Sequence, residues 1–331
     1  MTPDSTIVDR EIGTSAAFSL PCPTLRVANR IRLETIPAIR KSRTCLRADG
    51  HCIPADAFDT GPEIGISFMP VTSPIDLCEL LTIAEEAARA GGQVLQDWRG
   101  RFSVREKSRA NLVTEADHAS QELIHRLISG RYPDHGFLGE EGLNLPAKGS
   151  PWQWIIDPLD GTSNYVHGFP YYAVSIAVRY DSELIAGVIF DPTRNELFAA
   201  TAGGGAYLNG RQISASGERE PSGAMVMASL PVGGRPEDPA VQRFLKAFSH
   251  LQAVQRSGSA ALNLACVASG RIDGFWSTSL HPWDVAAGVL IVQEAGGTVT
   301  TLKGHAIDIS VPDILAASSP ELSAALIGIL R

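Results

Sequence analysis

Cysteine is scarce and odd in number: five residues in a chain of 331, with no Cys-x-x-Cys pair. That usage argues against a disulfide framework and against a zinc site, and it fits scattered thiols in a reducing, cytoplasmic compartment. No apolar run reaches the roughly 18 residues of a bilayer-spanning helix. Positive charge is also in deficit, with 28 basic against 36 acidic residues and a net charge of −8. Nucleic acid and anionic membranes are therefore poor candidates for the main partner. There is no internal repeat and no Gly-x-Gly-x-x-Gly. The run Gly203-Gly204-Gly205 lacks the spacing and acidic partner of a dinucleotide site, and reads as a turn. What is present is ordinary for a globular protein, 44% hydrophobic and 19% charged, and long enough for one large or two ordinary domains.

Residues 1–70 carry three of the five cysteines and a mixture of Pro, Ser, Thr, Arg and acids without lasting periodicity, so a disordered extension is expected there. Early acids (Asp4, Asp9, Glu11) fit neither a secretory signal nor a transit peptide. Met69 stands just before the first regular stretch, and a misassigned start codon is the alternative. Residues 71–331 then form the expected catalytic domain. Apolar residues recur at helical spacing in "IDLCELLTIAEEAARAGGQVLQDW" and again in "ADHASQELIHRLISG". Strand-like runs follow at 154–156, 171–179, 185–190 and 196–201, spaced as an antiparallel meander. From "GSAALNLACVASG" onward β and α alternate to the end of the chain. Together these predict a layered α/β architecture with an antiparallel and a mixed sheet.

The chemistry concentrates at element ends. "WIIDPLDGTSNY" runs a buried strand into Asp157 and Asp160, and a carboxylate at a buried strand end is costly unless a cation compensates it. Residues three apart on a regular strand face opposite ways, so a turn at Pro158 is expected to let both acids share one ligand. Gly161 allows close backbone approach, and Thr162, Ser163 and Asn164 read as a helix N-cap whose N–H groups suit an anion. Hard oxygen donors for a divalent cation thus lie beside a phosphate cradle. "GEEG" delivers Glu140 between glycines, "PWDVAAG" places Asp284 in the first turn of a helix, and "NLVTEAD" pairs Thr114 with Asp117 as a cap. Taken singly, each is equally a solvated turn or a capping acid.

In combination and in this order, "GEEG", "WIIDPLDGTSNYVHGFPYYAVSIAV" and "PWDVAAG" resemble the signatures of the inositol monophosphatase family of magnesium-dependent, lithium-sensitive phosphatases, over about residues 75–331. The resemblance implies the layered α-β-α-β-α sandwich shared with fructose-1,6-bisphosphatase. It implies two or three Mg²⁺ held by Glu140, Asp157, Asp160, Asp284 and the carbonyl of Leu159. Thr162 and Asp117 would position the attacking water with Glu140 as base. Asp160, Gly161, Thr162, Gly258, Ser259 and Ala260 would contact substrate, a small phosphorylated polyol or sugar, and a homodimer is the family's usual assembly. Four positions depart from the pattern. Asn111 stands where an acid is usual, and Lys107 lies one residue from a usual lysine. Ser277 occupies the place of a Glu that binds inositol hydroxyls, and His281 stands just ahead of Pro-Trp-Asp. Ser277 would then line the leaving-group side, and its loss of charge raises histidinol-phosphate phosphatase as the rival activity. A protein-binding role on the same scaffold is the reading from another class.

The absence of an apolar face in residues 1–68 generates a first expectation. A chain beginning at Met69 keeps full phosphatase activity and melting temperature. A fall of several degrees in calorimetry would show that the extension packs on the domain.

Overall fold

The computed structural model describes residues 77–331 except 109, 110, 232 and 312. The expectations for residues 1–70 and Met69, and for the side chains of Lys107 and Asn111, lie outside the described residues. The chain opens with α1 (Leu77–Trp98), whose buried Leu80, Ile83, Ala84, Ala87, Ala88 and Leu95 follow the helical period. A hairpin of β1 (Val104–Ser108) and β2 (Asn111–Thr114) precedes α2 (Glu115–Arg131). Next come β3 (Gly136–Gly139), β4 (Asn144–Leu145), β5 (Trp152–Asp160), the five-residue α3 (Thr162–Val166), β6 (Ala173–Tyr180), β7 (Glu183–Asp191), β8 (Glu196–Thr201), β9 (Gly205–Leu208) and β10 (Arg211–Gln212). The remainder is β11 (Met225–Ala228), α4 (Pro239–Phe248), β12 (Ala253–Gln255), α5 (Ala260–Ala268), β13 (Gly274–Ser277), α6 (Pro282–Glu294), β14 (Thr298–Thr300), β15 (Ile314–Ala317) and α7 (Pro320–Leu330).

The eight-stranded sheet runs β10-β9-β8-β7-β6-β5-β3-β4. The meander expected from β5 to β8 is antiparallel throughout, while β3 pairs parallel to β5. The five-stranded sheet runs β12-β11-β13-β15-β14 and is mixed, parallel across β12, β11 and β13 and antiparallel beyond.

Alternation along the strands makes the layers. Trp154 and Ile156 of β5, with Val174, Ile176 and Val178 of β6, point to one face and pack on α1 and α2. Ile155, Ala173 and Ala177 point to the other face, against α5 and α6. In the second sheet Phe275 and Ala316 face those same two helices, whereas Trp276, Leu315 and Ala317 face the opposite way, toward Ala247 of α4 and Leu322 and Leu326 of α7. The order is helices, sheet, helices, sheet, helices, the five-layer sandwich expected from the motifs. Both faces of each sheet are covered, so the central strands read as continuous apolar runs.

The expected turn at Pro158 is a bulge. Asp157 pairs with Ser175 and Asp160 with Ala173, so β5 spends three steps where β6 spends two. One extra residue in the strand reverses the parity of everything after it. Two acids three apart, which a regular strand would send to opposite faces, are thereby brought to one side. Pro158 has no N–H to give the ladder, so it sits without loss at the irregularity.

Close layer packing is enforced where glycines let backbones approach. A Cβ on Gly187 of β7 would lie 2.9 Å from the carbonyl oxygen of Ala287 in α6, and one on Gly288 would lie 2.5 Å from Cβ of Leu264 in α5. Gly288→Ala is therefore expected to destabilise the fold by about 1–3 kcal/mol through overpacking. Gly328→Ala, on the exposed side of α7 with nothing within 4 Å of the added carbon, should stabilise it by up to about 1 kcal/mol. Urea unfolding midpoints moving together would remove this account of the helix layer.

Candidate active site

The end of β5 buries Asp157 and Asp160 to 1% and 8% exposure. Asp284 arrives from a different layer, as the third residue of α6, where its Oδ2 accepts from the backbone N–H of His281 at 2.7 Å. Carboxylate oxygens of these three lie within 4.8 Å of one another. Glu140 follows β3 directly. The parallel pairing of Gly139 with Ile156 brings it alongside, its N–H donating to the Ile156 carbonyl at 3.3 Å. It stands outside the tight trio, yet its charge is felt by Asp117, Asp157, Asp160 and Asp284. Leu159 is buried. Its N–H donates to Asp157 Oδ1 at 3.0 Å and its carbonyl accepts from Thr162 Oγ1 at 3.1 Å.

Thr162 also reaches Asp117, Oγ1 to Oδ1 at 3.3 Å, across 45 residues of sequence. The other oxygen of Asp117 accepts from the Thr114 N–H at 2.9 Å and hydroxyl at 2.6 Å. The capping pair expected at the start of α2 is thus the device that aims a buried carboxylate at Thr162. The motifs do not disclose Gln121, one turn further along α2. Its amide donates to the Glu141 carbonyl at 3.2 Å and accepts from the Glu141 N–H at 3.1 Å, clamping the loop that carries Glu140. Gly139 is required there, since a Cβ would come 2.6 Å from Gln121 Oε1. The available signal is that Asp117 and Gln121 sit on the same helix face as Ile124 and Ile128, polar residues in an apolar stripe.

Three expectations are corrected on the substrate side. Gly161, in the left-handed region at φ +94°, caps α3 in place of Thr162–Asn164, and Asn164 instead donates its amide to the carbonyls of Tyr171 and Ser257 at 2.7 and 2.8 Å. Ser259 does not face an open site. It is fully buried as the N-cap of α5, its hydroxyl donating to Asp160 Oδ2 and accepting from the Leu262 N–H at 3.2 Å. The N–H of Ala260 joins in, donating to Asp160 Oδ1 at 3.2 Å, and that of Ala261 donates to Oδ2 at 2.8 Å. Gly258, with φ +91°, lies against Asn164, where a Cβ would meet its side chain at 2.9 Å. Ser277 is likewise buried, its hydroxyl accepting from the Ser279 N–H at 3.3 Å. A short side chain at a strand end satisfies the backbone turn that follows it. His281 is exposed and stacks on Trp283.

Burial raises Asp117, Asp157, Asp160 and Asp284. Asp157 is pushed well above the usual carboxylate range by desolvation and then by the charges of Glu140, Asp160 and Asp284. Desolvation lifts Asp160 to about 6 against the hydrogen bonds from Ser259, Ala261 and Ala260, and lifts Asp284 to about 8 with the charge of Asp160 adding. Asp117 rises to about 6 by desolvation, opposed by Thr114. Among the described residues no lysine or arginine forms an ion pair with the trio. An all-oxygen donor set of buried, mutually repelling carboxylates, without His or Cys, fits a hard divalent cation.

A carboxyl whose folded value is raised contributes stability that is complete below its unfolded value of about 4 and is lost as pH rises through the folded value. Burial lowers His125 and His135, so they act oppositely, but only below about 6.5. Metal-free protein is therefore expected to lose melting temperature from pH 6.5 to 8.5, and added magnesium should raise it more at the upper end. A flat or rising profile in chelator would contradict the cluster's electrostatics.

Comparison with known proteins agrees with this geometry. The family described as the inositol monophosphatase family matches residues 76–331. An inositol-1-monophosphatase from Synechocystis sp. is 41% identical over 268 residues, covering 78% of this chain and 92% of its own length. A protein named Nus factor SuhB from Pseudomonas aeruginosa is 41% identical over 234 residues, 68% of this chain and 86% of its own. The crystal structure of the extragenic suppressor protein suhB from Bartonella henselae superposes with a TM-score of 0.74 at 34% identity, covering 76% of this chain and 98% of that one. The chain belongs to the inositol monophosphatase family, whose members are phosphoric monoester hydrolases.

Proposed function

We propose that this protein is a magnesium-dependent phosphomonoesterase that hydrolyses inositol monophosphate or a related polyol or sugar phosphate. The observation that carries the reading is the meeting of Asp157, Asp160 and Asp284 within 4.8 Å, next to a threonine already hydrogen-bonded to a buried aspartate. Asp157, Asp160, Asp284, Glu140 and the Leu159 carbonyl would hold two or three Mg²⁺. Magnesium in such a site supplies Lewis-acid charge to phosphate oxygens and makes water a better nucleophile near neutral pH.

The chain's own residues then do the following. Asp117, above its value of about 6, is a carboxylate that accepts the Thr162 proton, leaving the lone pairs of Oγ1 to accept from a water. Glu140 takes the proton that water must lose. The N–H groups of Gly161 and Thr162 hold phosphate at the start of α3, while Gly258 and Ala260 border the alcohol. In the reaction the water oxygen forms a bond to phosphorus, the ester P–O bond breaks, and the departing alcohol oxygen takes up a proton. No covalent phosphoenzyme is needed. The odd cysteine count supports a cytoplasmic location, and a homodimer belongs to this proposal as the family's usual assembly. The name Nus factor on the Pseudomonas aeruginosa relative makes a protein-binding role the competing reading. The complete carboxylate set favours catalysis.

Phosphate release from inositol 1-phosphate and histidinol phosphate, with magnesium and then lithium, tests the reading directly. Asp157→Asn and Asp284→Asn should each lower turnover by at least about a thousandfold with the fold intact, because an amide brings no charge to the cation. Asp117→Asn should lower kcat by about tenfold to a hundredfold while leaving magnesium affinity nearly unchanged. Turnover retained in the first two variants would remove the metal assignment. A pure affinity loss in the third would move Asp117 into the metal shell.

A further inference from the structure

Ser175 of β6 is a polar side chain inside an apolar layer. It is 1% exposed and stands between Ala173 and Ala177, whose side chains pack against α5 and α6. A buried hydroxyl is costly without a partner. Ser175 finds one outside its own sheet, donating to the carbonyl of Trp283 in α6 at 3.3 Å. A helical carbonyl has a second lone pair with which to accept it.

Both ends of that contact reach the acids. Ser175 is the register partner of Asp157 across the β5–β6 pair, so the two side chains leave the sheet on the same face, from Cα atoms about 5 Å apart. Trp283 immediately precedes Asp284. The Trp283 carbonyl and the Cα of Asp284 therefore belong to one planar peptide unit. A strand pairing, one hydrogen bond and one rigid plane join Asp157 to Asp284 by a short path that does not pass through the carboxylates, whose oxygens lie within 4.8 Å. The other end of α6 is tied separately, where Glu294 accepts from the N–H groups of Gly203 and Gly205 at 2.7 and 2.8 Å. The helix has 13 residues, so that second tie lies about 20 Å along its axis from the acids.

We propose that Ser175 is a positioning residue for the cation site: its hydroxyl holds the first turn of α6 against β6 and fixes the spacing of Asp157 and Asp284 before a cation binds. The inference rests on the metal-dependent reading above and adds a residue to it. Without the bond, repulsion between the carboxylates moves the start of α6 outward in metal-free protein, and binding must draw it back. The cost falls on magnesium affinity. The hydroxyl is committed to Trp283 and has no part in the chemical step, so saturating magnesium should restore turnover.

Calorimetric titration of the metal-free full chain with magnesium alone, and manganese binding followed by electron paramagnetic resonance, read the site without turnover. Ser175→Ala should weaken both by about tenfold, while kcat at saturating magnesium and KM for p-nitrophenyl phosphate stay within about threefold of the wild type. Ser175→Thr keeps the hydroxyl on a side chain suited to a strand, and should hold affinity within about threefold. Glu294→Ala frees the far end of the same helix, and should lower the melting temperature with affinity nearly unchanged. Three results overturn the positioning role and leave the hydrolase intact: affinity unmoved in Ser175→Ala, affinity lowered equally in Glu294→Ala, or a folded Ser175→Thr that binds as weakly as Ser175→Ala. If the threonine variant does not fold, the contrast between Ser175→Ala and Glu294→Ala decides. A wild type that binds neither magnesium nor manganese overturns the metal reading, and the role of Ser175 falls with it.

Discussion

Like-charge repulsion among Asp157, Asp160 and Asp284 is the constraint on which the architecture turns. Three carboxylate oxygens confined within 4.8 Å and largely withdrawn from water cannot all be ionised without a counter-charge. The charges of Glu140, Asp160 and Asp284 add to the desolvation that raises Asp157. The fold holds this arrangement in place because each acid is fixed by backbone that belongs to a different element. Asp157 accepts from Leu159 at the β5 bulge, Asp160 from the start of α5, and Asp284 from the cap of α6. Relaxing the repulsion would require separating a sheet from the helices packed on it.

The helix layer between the sheets is therefore more than filling. Both of its helices point their N-terminal ends at the acids, and a helix N-terminus favours negative charge. The close seating of α6 on β7 at Gly187 and of α5 on α6 at Gly288 sets how near those ends come. Stability and chemistry draw on the same packing. What burial costs the carboxyls is offset when a divalent cation is bound.

Much of this was legible in the sequence for a definite reason. Apolar periodicity predicted α1, α2, the β5 to β8 meander, α5, α6 and α7, since each buries a continuous face. The elements that escaped are β1, β2, β4, β9, β10, β11, β12 and α4, short or with a half-exposed face, whose pattern is weak in a window of a few residues. The metal-type acids stood out because Gly and Pro punctuate them. The bulge at Pro158 did not, because a bulge and a turn use the same residues and differ only in the register of the neighbouring strand. Motif position alone gives Ser259 and Ser277 substrate-side roles. Their burial follows from which backbone groups each hydroxyl must satisfy, and that is decided by three-dimensional partners.

The centre and its surroundings are consequently encoded at different ranges. Asp157, Asp160, Gly161 and Thr162 are neighbours in sequence, so part of the reacting centre can be read from one short stretch. Arg256, Ser163 and Leu230 are brought together only by the folded loops. No spacing rule connects them. An exposed arginine makes no demand on the core, so it can vary without disturbing the carboxylates, whereas an exchange at Gln121 or Thr114 would disturb the loop or carboxylate that serves the centre. For this chain the carboxylates are fixed by strand and helix ends, whereas Leu230 and Arg256 sit on loops.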